Sequence, residues 1–145
     1  MKNKIFKPLF DKVYTTIFVF LAIFMIVITV INAKYPIALW IMIFTDIFTF
    51  YFLISPCFAY VELREKSVFI KFGFIMKREI FYKEIRTLEK QRRFYSDSLL
   101  SIKNSMEHVN IKYNTFDAVS VSVVGNDSFI EEVESRIRNE IYTPD

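Results

Sequence analysis

Two long apolar runs near the N-terminus constrain this chain more than any other feature. Val13 to Ile31 carries no charge, Asn32 to Pro36 interrupts the pattern, and Ile37 to Ile54 resumes it with the single charge Asp46. A helix rises about 1.5 Å per residue, so each run is long enough to cross a hydrocarbon core of about 30 Å. The pattern predicts a transmembrane helical hairpin over residues 13–55, with helices at 13–31 and 37–54.

The basic residues around this hairpin predict its orientation. Lysines crowd the segment 1–12 and basic residues also follow the second run, whereas the turn between the runs offers only Lys34. Because positively charged flanks stay on the cytoplasmic side, we expect a multi-pass membrane protein with both termini in the cytoplasm. Segment 1–12 is then a basic cytoplasmic segment whose lysines fix the topology. The single cysteine, Cys57, excludes an internal disulfide and fits a reducing compartment.

The residues after the hairpin predict one small domain of strands and a final helix. Alternating apolar residues predict strands at 60–64, 67–72, 76–81 and 85–92, followed by a loop at 96–107 and two more strands around 109–113 and 119–123. Ser128 and Glu131 have capping-box spacing, and an apolar stripe at helical spacing follows them, so the chain should end in an amphipathic helix before Pro144.

This order of elements, together with several short motifs, resembles a known family. The motifs are Val68–Gly73, Ile80–Ile85, Ser98–Ser101, Val109–Tyr113 and Phe129–Ile130. They are similar to the bacterial pleckstrin-homology-like (PH-like) domain of the YyaB-like family, in which two membrane spans precede the domain. The resemblance implies an α+β chain: the hairpin, then a cytoplasmic PH-like β-sandwich or barrel over 59–145 capped by the C-terminal helix. It brings no settled activity, because fold alone does not select a ligand.

Basic and aromatic residues provide the candidate contact surface of the domain. The densest cluster is Gln91 to Tyr95. We expect contacts with anionic lipid or a partner at six residues: Lys77, Arg78, Arg92, Arg93, Phe94 and Tyr95. A solvated strand end beside a loop is the alternative explanation of such a run.

Asp46 is the candidate site inside the bilayer. An ionised carboxylate at mid-membrane costs about 2.5 to 3.5 kcal/mol even on the lenient insertion scale. If the two helices run antiparallel from the turn at Asn32 to Pro36, Asp46 lies level with Ala22, whose side chain offers no hydrogen-bond partner. One hypothesis gives Asp46 a functional role, carrying protons or pairing with another subunit; the other makes it a neutral carboxyl that hydrogen-bonds Thr49 or its own helix.

The residue inventory argues against catalysis, a metal and a cofactor. The chain has one histidine, His108, which we expect at a strand edge, and its only glycines are Gly73 and Gly125, too few for a phosphate-binding loop. Basic and acidic residues balance from Tyr60 onwards, which argues against nucleic acid. We expect a non-enzymatic, membrane-tethered module that binds a protein partner or itself. The alternative is a small intrabilayer subunit or modulator, in transport or in protection against a membrane-active peptide, that uses Asp46.

Overall fold

A helical hairpin forms the first part of the computed structural model, which describes residues 3–96, 101–102 and 104–142. Its helices are α1, Lys12–Ile31, and α2, Pro36–Ile54, each beginning one residue before the predicted span. Asp11 caps α1 by accepting a hydrogen bond from the Val13 N–H, and Pro36 begins α2 at a position where no N–H is needed. Both helices are long and apolar enough to span a membrane, and almost none of their side chains are buried.

The first sheet has four antiparallel strands in the order β1-β2-β3-β4. They are β1 (Lys4–Phe6), β2 (Tyr60–Leu63), β3 (Ser67–Lys71) and β4 (Lys77–Phe81). Inward positions alternate with outward ones, so that Val61, Leu63 and Ile70 are fully buried while their neighbours point outwards. The predicted strands at 67–72 and 76–81 each lose one end residue, because Phe72 and Met76 close the connecting turn through a Phe72 N–H to Met76 O bond of 2.8 Å.

Strand β1 differs from the expectation that residues 1–12 form a separate basic segment. Lys4 pairs with Leu63 and Phe6 with Val61, although about fifty residues of chain, including the whole hairpin, lie between β1 and β2. Phe6 is 7% exposed and packs edge-on against Phe129 with a ring separation of 5.2 Å. The domain is therefore built from two pieces of sequence, with the hairpin inserted between its first and second strands.

The second sheet has the order β5-β7-β8-β6. Its strands are β5 (Ile85–Arg92), β6 (Ser101–Ile102), β7 (Glu107–Tyr113) and β8 (Asp117–Val121); only the β6–β8 pair is parallel. Strand β5 has the predicted bounds. The stretch 96–107, expected as a loop, contributes β6 and the start of β7; the Ser98–Leu100 part of the family motif lies outside the described residues. The N-terminal segment joins this sheet too, through a bridge between Pro8 and Val123.

The two sheets enclose one core that a C-terminal helix closes. Helix α3 spans Asn126–Tyr142 and buries Phe129 and Val133 between the sheets. It begins two residues before Ser128, and the Asn126 side chain accepts a hydrogen bond of 3.0 Å from the Val123 N–H. The predicted α+β class, two apolar helices followed by a PH-like sandwich with a C-terminal helix, is confirmed.

A buried arginine fastens α3 to the first sheet. Arg136 is 3% exposed, and its guanidinium donates to the carbonyl oxygens of Leu63 and Arg64 at 3.3 and 2.9 Å. Tyr82 donates to the same Arg64 oxygen at 2.9 Å, and burial raises the pKa of this tyrosine to about 12. These bonds fasten the end of β2 to α3 and to the segment that follows β4.

Candidate functional site

Helix α1 is attached to the second sheet. The Asp11 N–H donates to Asn104 O at 2.8 Å, and the Leu9 N–H donates to Ser122 O at 2.9 Å. One turn into the helix, the Tyr14 hydroxyl donates to Phe94 O at 2.7 Å, and the two rings stack with centroids 5.6 Å apart. The start of α1 is therefore held against the segment that follows β5.

Helix α2 is attached to the first sheet instead. The Ser55 hydroxyl donates to Phe72 O at 3.2 Å, at the end of β3. Gly73 follows with φ +97°, and a Cβ there would lie 2.9 Å from the Ser55 carbonyl oxygen, so only glycine allows this approach. The Phe74 ring then contacts Phe58 and Tyr51, with centroids 4.5 and 5.9 Å away. The β3–β4 turn is thus fixed beside the last turn of α2.

Both helices consequently meet the same end of the sandwich, which we call the helix-facing end. A cavity of about 140 Å³ lies there between α2 and the two sheets, lined by apolar groups that include Phe52, Ala59, Phe72 and Ile102. Phe52 belongs to α2, Ala59 directly precedes β2, Phe72 directly follows β3, and Ile102 is in β6. Changes in the position of α2 against the sheets would alter this cavity directly.

Four of the predicted contact residues come together at this end. Arg92 ends β5, the Arg93 N–H donates to Met106 O at 3.1 Å, and the Arg93 guanidinium lies 5.7 Å from the centre of the Tyr95 ring. Phe94 and Tyr95 are exposed, although the Phe94 ring covers Tyr14. Arg92, Arg93, Phe94 and Tyr95 therefore form one surface, the Arg92–Tyr95 patch, next to the start of α1.

Lys77 and Arg78 do not belong to that patch. Lys77 flanks the β3–β4 turn beside α2, and the Arg78 guanidinium lies 5.6 Å from the centre of the Tyr113 ring. Tyr113 pairs with Ile85, at the opposite end of β5 from Arg92. At about 3.3 Å per residue, the two ends of β5 lie roughly 23 Å apart. Arg78 is therefore separated from Arg92 by the length of β5, whereas Lys77 lies at the helix-facing end, beside α2 and not beside the start of α1.

Asp46 has a partner on the other helix of the hairpin. Thr29 Oγ1 donates to Asp46 Oδ2 at 2.6 Å, so Thr29 occupies the place in which we expected Ala22, and the bond differs from the expected one to Thr49. The second carboxyl oxygen, Oδ1, is buried and has no hydrogen-bond partner within the described part of the chain. The carboxyl group therefore retains capacity for another donor.

His108 is fully buried, which corrects the expectation of a strand-edge side chain. Its Nδ1 lies 3.3 Å from Met106 O, on the face of β7 opposite to the core residues Val109 and Ile111. This face is covered because the chain after β5 crosses it, with Ser96 Oγ donating to Ser120 Oγ at 2.9 Å. Across residues 3–96, 101–102 and 104–142, no three His, Cys, Asp or Glu side chains are grouped to hold a metal ion.

Two features of the helix-facing end escaped the sequence analysis. The first is the exposed apolar turn Phe74–Met76, whose signal was three apolar residues directly after Gly73. The second is the attachment of β1 and the following segment, for which the apolar residues Ile5, Phe6, Leu9 and Phe10 among the lysines were the sign. An ion pair supports that attachment: Lys4 Nζ donates to Glu132 Oε2 at 3.0 Å, and together with Arg136 it lowers the pKa of Glu132.

The comparisons with known proteins agree with this architecture. No curated protein and no solved structure matches the chain. A family model described as a bacterial PH domain matches residues 59–137, which is more than half of the 145 residues. The matched range begins just before β2 and ends inside α3, so it contains seven of the eight strands and omits the hairpin and β1. The chain belongs to the bacterial PH domain family.

Proposed function

We propose that this chain is a non-enzymatic binding module, anchored in the bacterial cell membrane by its hairpin, whose PH domain binds a protein partner or a second copy at the cytoplasmic surface. The observation that carries the anchoring is the pairing of β1 with β2. These strands flank the hairpin in sequence and lie side by side in one sheet, so a hairpin that enters a membrane has to return to the side on which it began. Two apolar helices of spanning length agree with two crossings.

Charge and exposure support the same orientation. The apolar side chains of α1 and α2 are exposed and suit contact with lipid, while the lysines and arginines other than Lys34 precede or follow the two apolar runs. The positive-inside bias then favours the cytoplasm for the domain and both termini. Anchoring raises the effective concentration of the domain near other membrane proteins, so a small contact surface suffices.

The Arg92–Tyr95 patch is the proposed contact surface. It combines two arginines with two exposed aromatic rings, which are the residue types enriched at the centres of protein interfaces. Its attachment to the start of α1 through Tyr14 keeps it near the membrane surface. This position favours a partner that is itself a membrane protein, or the same patch on a second copy.

The non-enzymatic part of the proposal follows from where the reactive side chains lie. The only histidine is fully buried beneath the segment after β5, so it cannot meet a substrate from solution without unfolding that segment. Cys57 is exposed beside the end of α2 with no histidine to activate it, and Asp46 is the one charged residue of the second apolar run.

Crosslinking in intact membranes tests the contact surface. We expect the unmodified protein to capture one partner, or itself, and Arg92→Glu with Arg93→Glu to lose that capture. Lys83→Glu with Arg86→Glu is the matched control, because it reverses the same number of exposed charges at the other end of β5. Equal loss in both variants would indicate general attraction to the membrane and contradict a specific surface.

A second candidate function places the activity within the bilayer. It is favoured by the unfilled Oδ1 of Asp46, which can accept a donor from another subunit or carry a proton. Under this hypothesis, Asp46→Asn abolishes capture or activity while the arginine changes have no effect. Thr29→Val removes the present partner of Asp46 and serves as the control, since it disturbs the hairpin without removing the carboxyl group.

A further inference from the structure

We propose that the apolar turn Phe74–Met76 inserts into the cytoplasmic leaflet beside α2 and that Lys71 and Lys77 contact anionic lipid headgroups directly behind it. The inference rests on the membrane anchoring of the proposed function and assigns a lipid contact to residues outside the Arg92–Tyr95 patch. It makes the domain a body held to the membrane at α1, at α2 and at this turn.

The turn continues the exposed apolar surface of α2. Phe74 and Met76 are about half exposed and Ile75 is 76% exposed, so three consecutive apolar side chains face outwards. Phe74 contacts Tyr51, which is in the last turn of α2, and Phe58, which follows that helix. The turn is therefore level with the point at which α2 leaves the hydrocarbon region, where aromatic side chains favour the headgroup layer.

The backbone holds the turn in this position. The Phe72 N–H to Met76 O bond closes it, and Ser55 and Gly73 pack it against the end of α2. A rigid turn loses little conformational entropy on insertion, so most of the free energy gained by burying its side chains in lipid is retained.

Two lysines stand directly behind the apolar residues. Lys71 and Lys77 are Cα partners across the β3–β4 ladder, where like charges repel and a nearby anion is stabilising; the Lys71 ammonium group also lies 5.7 Å from the centre of the Tyr60 ring. Lys77 is two residues from Ile75, which corresponds to about 7 Å along a strand. Amphipathic segments lie about 5 to 10 Å deep in the interface, so this spacing puts the lysines among phosphates when Ile75 reaches the acyl chains.

Single-cysteine labelling of the full chain in lipid nanodiscs tests the proposal. In a Cys57→Ser background, Ile75→Cys carries an environment-sensitive fluorophore, with phosphatidylcholine and phosphatidylglycerol as the lipids. We expect a blue-shifted emission, loss of quenching by aqueous iodide, and quenching by a lipid-borne spin label. Phe116→Cys is the matched control: it is 95% exposed and apolar, but it follows Tyr113 at the far end of β7, and its label should stay open to iodide.

A third label separates failure of this proposal from failure of the anchoring. Ile47→Cys lies in the middle of α2 and is exposed, so its label should be quenched by deeply placed spin-labelled lipid. If Ile47 is in lipid while the Ile75 label is as open to iodide as the Phe116 label, the turn does not insert. If the Ile47 label is itself open to iodide, the anchoring is wrong and this inference with it.

The headgroup contact has its own measurement. Removing phosphatidylglycerol should red-shift the Ile75 label and restore iodide quenching in part. Lys77→Glu should abolish this dependence on anionic lipid, whereas Lys83→Glu, an equal charge change at the other end of β4, should keep it. The same response in both lysine variants, or no response to phosphatidylglycerol in the unmodified chain, would overturn the assignment of the lysine pair to headgroups.

Discussion

Replacing Phe6 by alanine should destabilise the whole domain, although Phe6 is separated from the rest of the domain by the hairpin. Its ring is buried against Phe129, in the core between the two sheets. A Phe→Ala change in a core costs about 3 to 5 kcal/mol, and an edge strand can relax, so we expect a loss of about 3 kcal/mol. Each 1.4 kcal/mol is a factor of ten, so the population of the unfolded domain should rise about a hundredfold.

Amide hydrogen exchange of the full chain in micelles measures this loss. The central strands β7 and β8 exchange only when the domain opens globally, so their amides should exchange about a hundredfold faster in Phe6→Ala. Ile5→Ala is the matched control: Ile5 is the next residue of the same strand, points to the opposite side and is 61% exposed. We expect it to change stability by less than about 0.5 kcal/mol.

The two variants together decide whether β1 exists as described. A basic segment lying on the membrane surface would use Ile5 and Phe6 alike, and neither change would reach β7 or β8. Equal, small effects of the two substitutions on these strands would therefore refute the pairing of β1 with β2 and the two-piece construction of the domain.

Three further perturbations follow from the contacts. Gly73→Ala should cost more than about 1 kcal/mol, because φ is +97° and the new Cβ meets Ser55; thermal unfolding measures it, and a cost equal to that of an exposed Gly→Ala change would contradict the close approach. Arg136→Met should cost about 1 to 3 kcal/mol by removing the guanidinium bonds to the Leu63 and Arg64 oxygens, the second of which keeps its bond from the Tyr82 hydroxyl, whereas Arg138→Met, on an exposed part of α3, should be nearly neutral. The hydrogen bond from Lys4, and then the one from Arg136, lowers the pKa of Glu132 in the folded domain below 4.5. The stability that these contacts add is present above pH 4.5 and is lost as the pH falls through the lowered pKa. The free energy of unfolding, measured as a function of pH, should show this loss in the unmodified chain and a smaller loss in Lys4→Met.

Sequence patterns predicted those parts of the fold that depend on local periodicity. The apolar runs and the polar turn at Asn32 to Pro36 defined both helices within one residue, and the bounds of β5 were predicted with Ile85 and Leu88 as its inward residues. Strand β1 could not be predicted, since three residues carry too short a pattern and their partner strand lies beyond the hairpin. The burial of His108 could not be predicted either. Alternation of apolar residues identifies the face of β7 that meets the core, but it does not show that the segment after β5 covers the opposite face.

The candidate site was predictable in composition but not in arrangement. The run Arg92–Tyr95 is contiguous, so its grouping followed from the sequence, and its attachment to Tyr14 required the tertiary structure. Lys77 and Arg78 were placed with it by charge alone; Arg78 contacts Tyr113 at the opposite end of β5, and Lys77 flanks the β3–β4 turn beside α2. Arg136 lies among polar residues in the helical pattern of α3, which predicts an exposed side chain. Its burial follows from its hydrogen bonds to β2, which the sequence does not show.

Side-specific thiol labelling in intact cells tests the central claim most directly. In a Cys57→Ser background, a membrane-impermeant maleimide is applied to Asn3→Cys, Lys34→Cys and Phe116→Cys, which report on the strand before the hairpin, the turn within it and the domain after it. The account predicts that Lys34→Cys is labelled from outside, while the other two are labelled only after the membrane is opened. Labelling of Asn3→Cys and Phe116→Cys on opposite sides would contradict the inserted hairpin, because β1 and β2 could not then lie in one sheet.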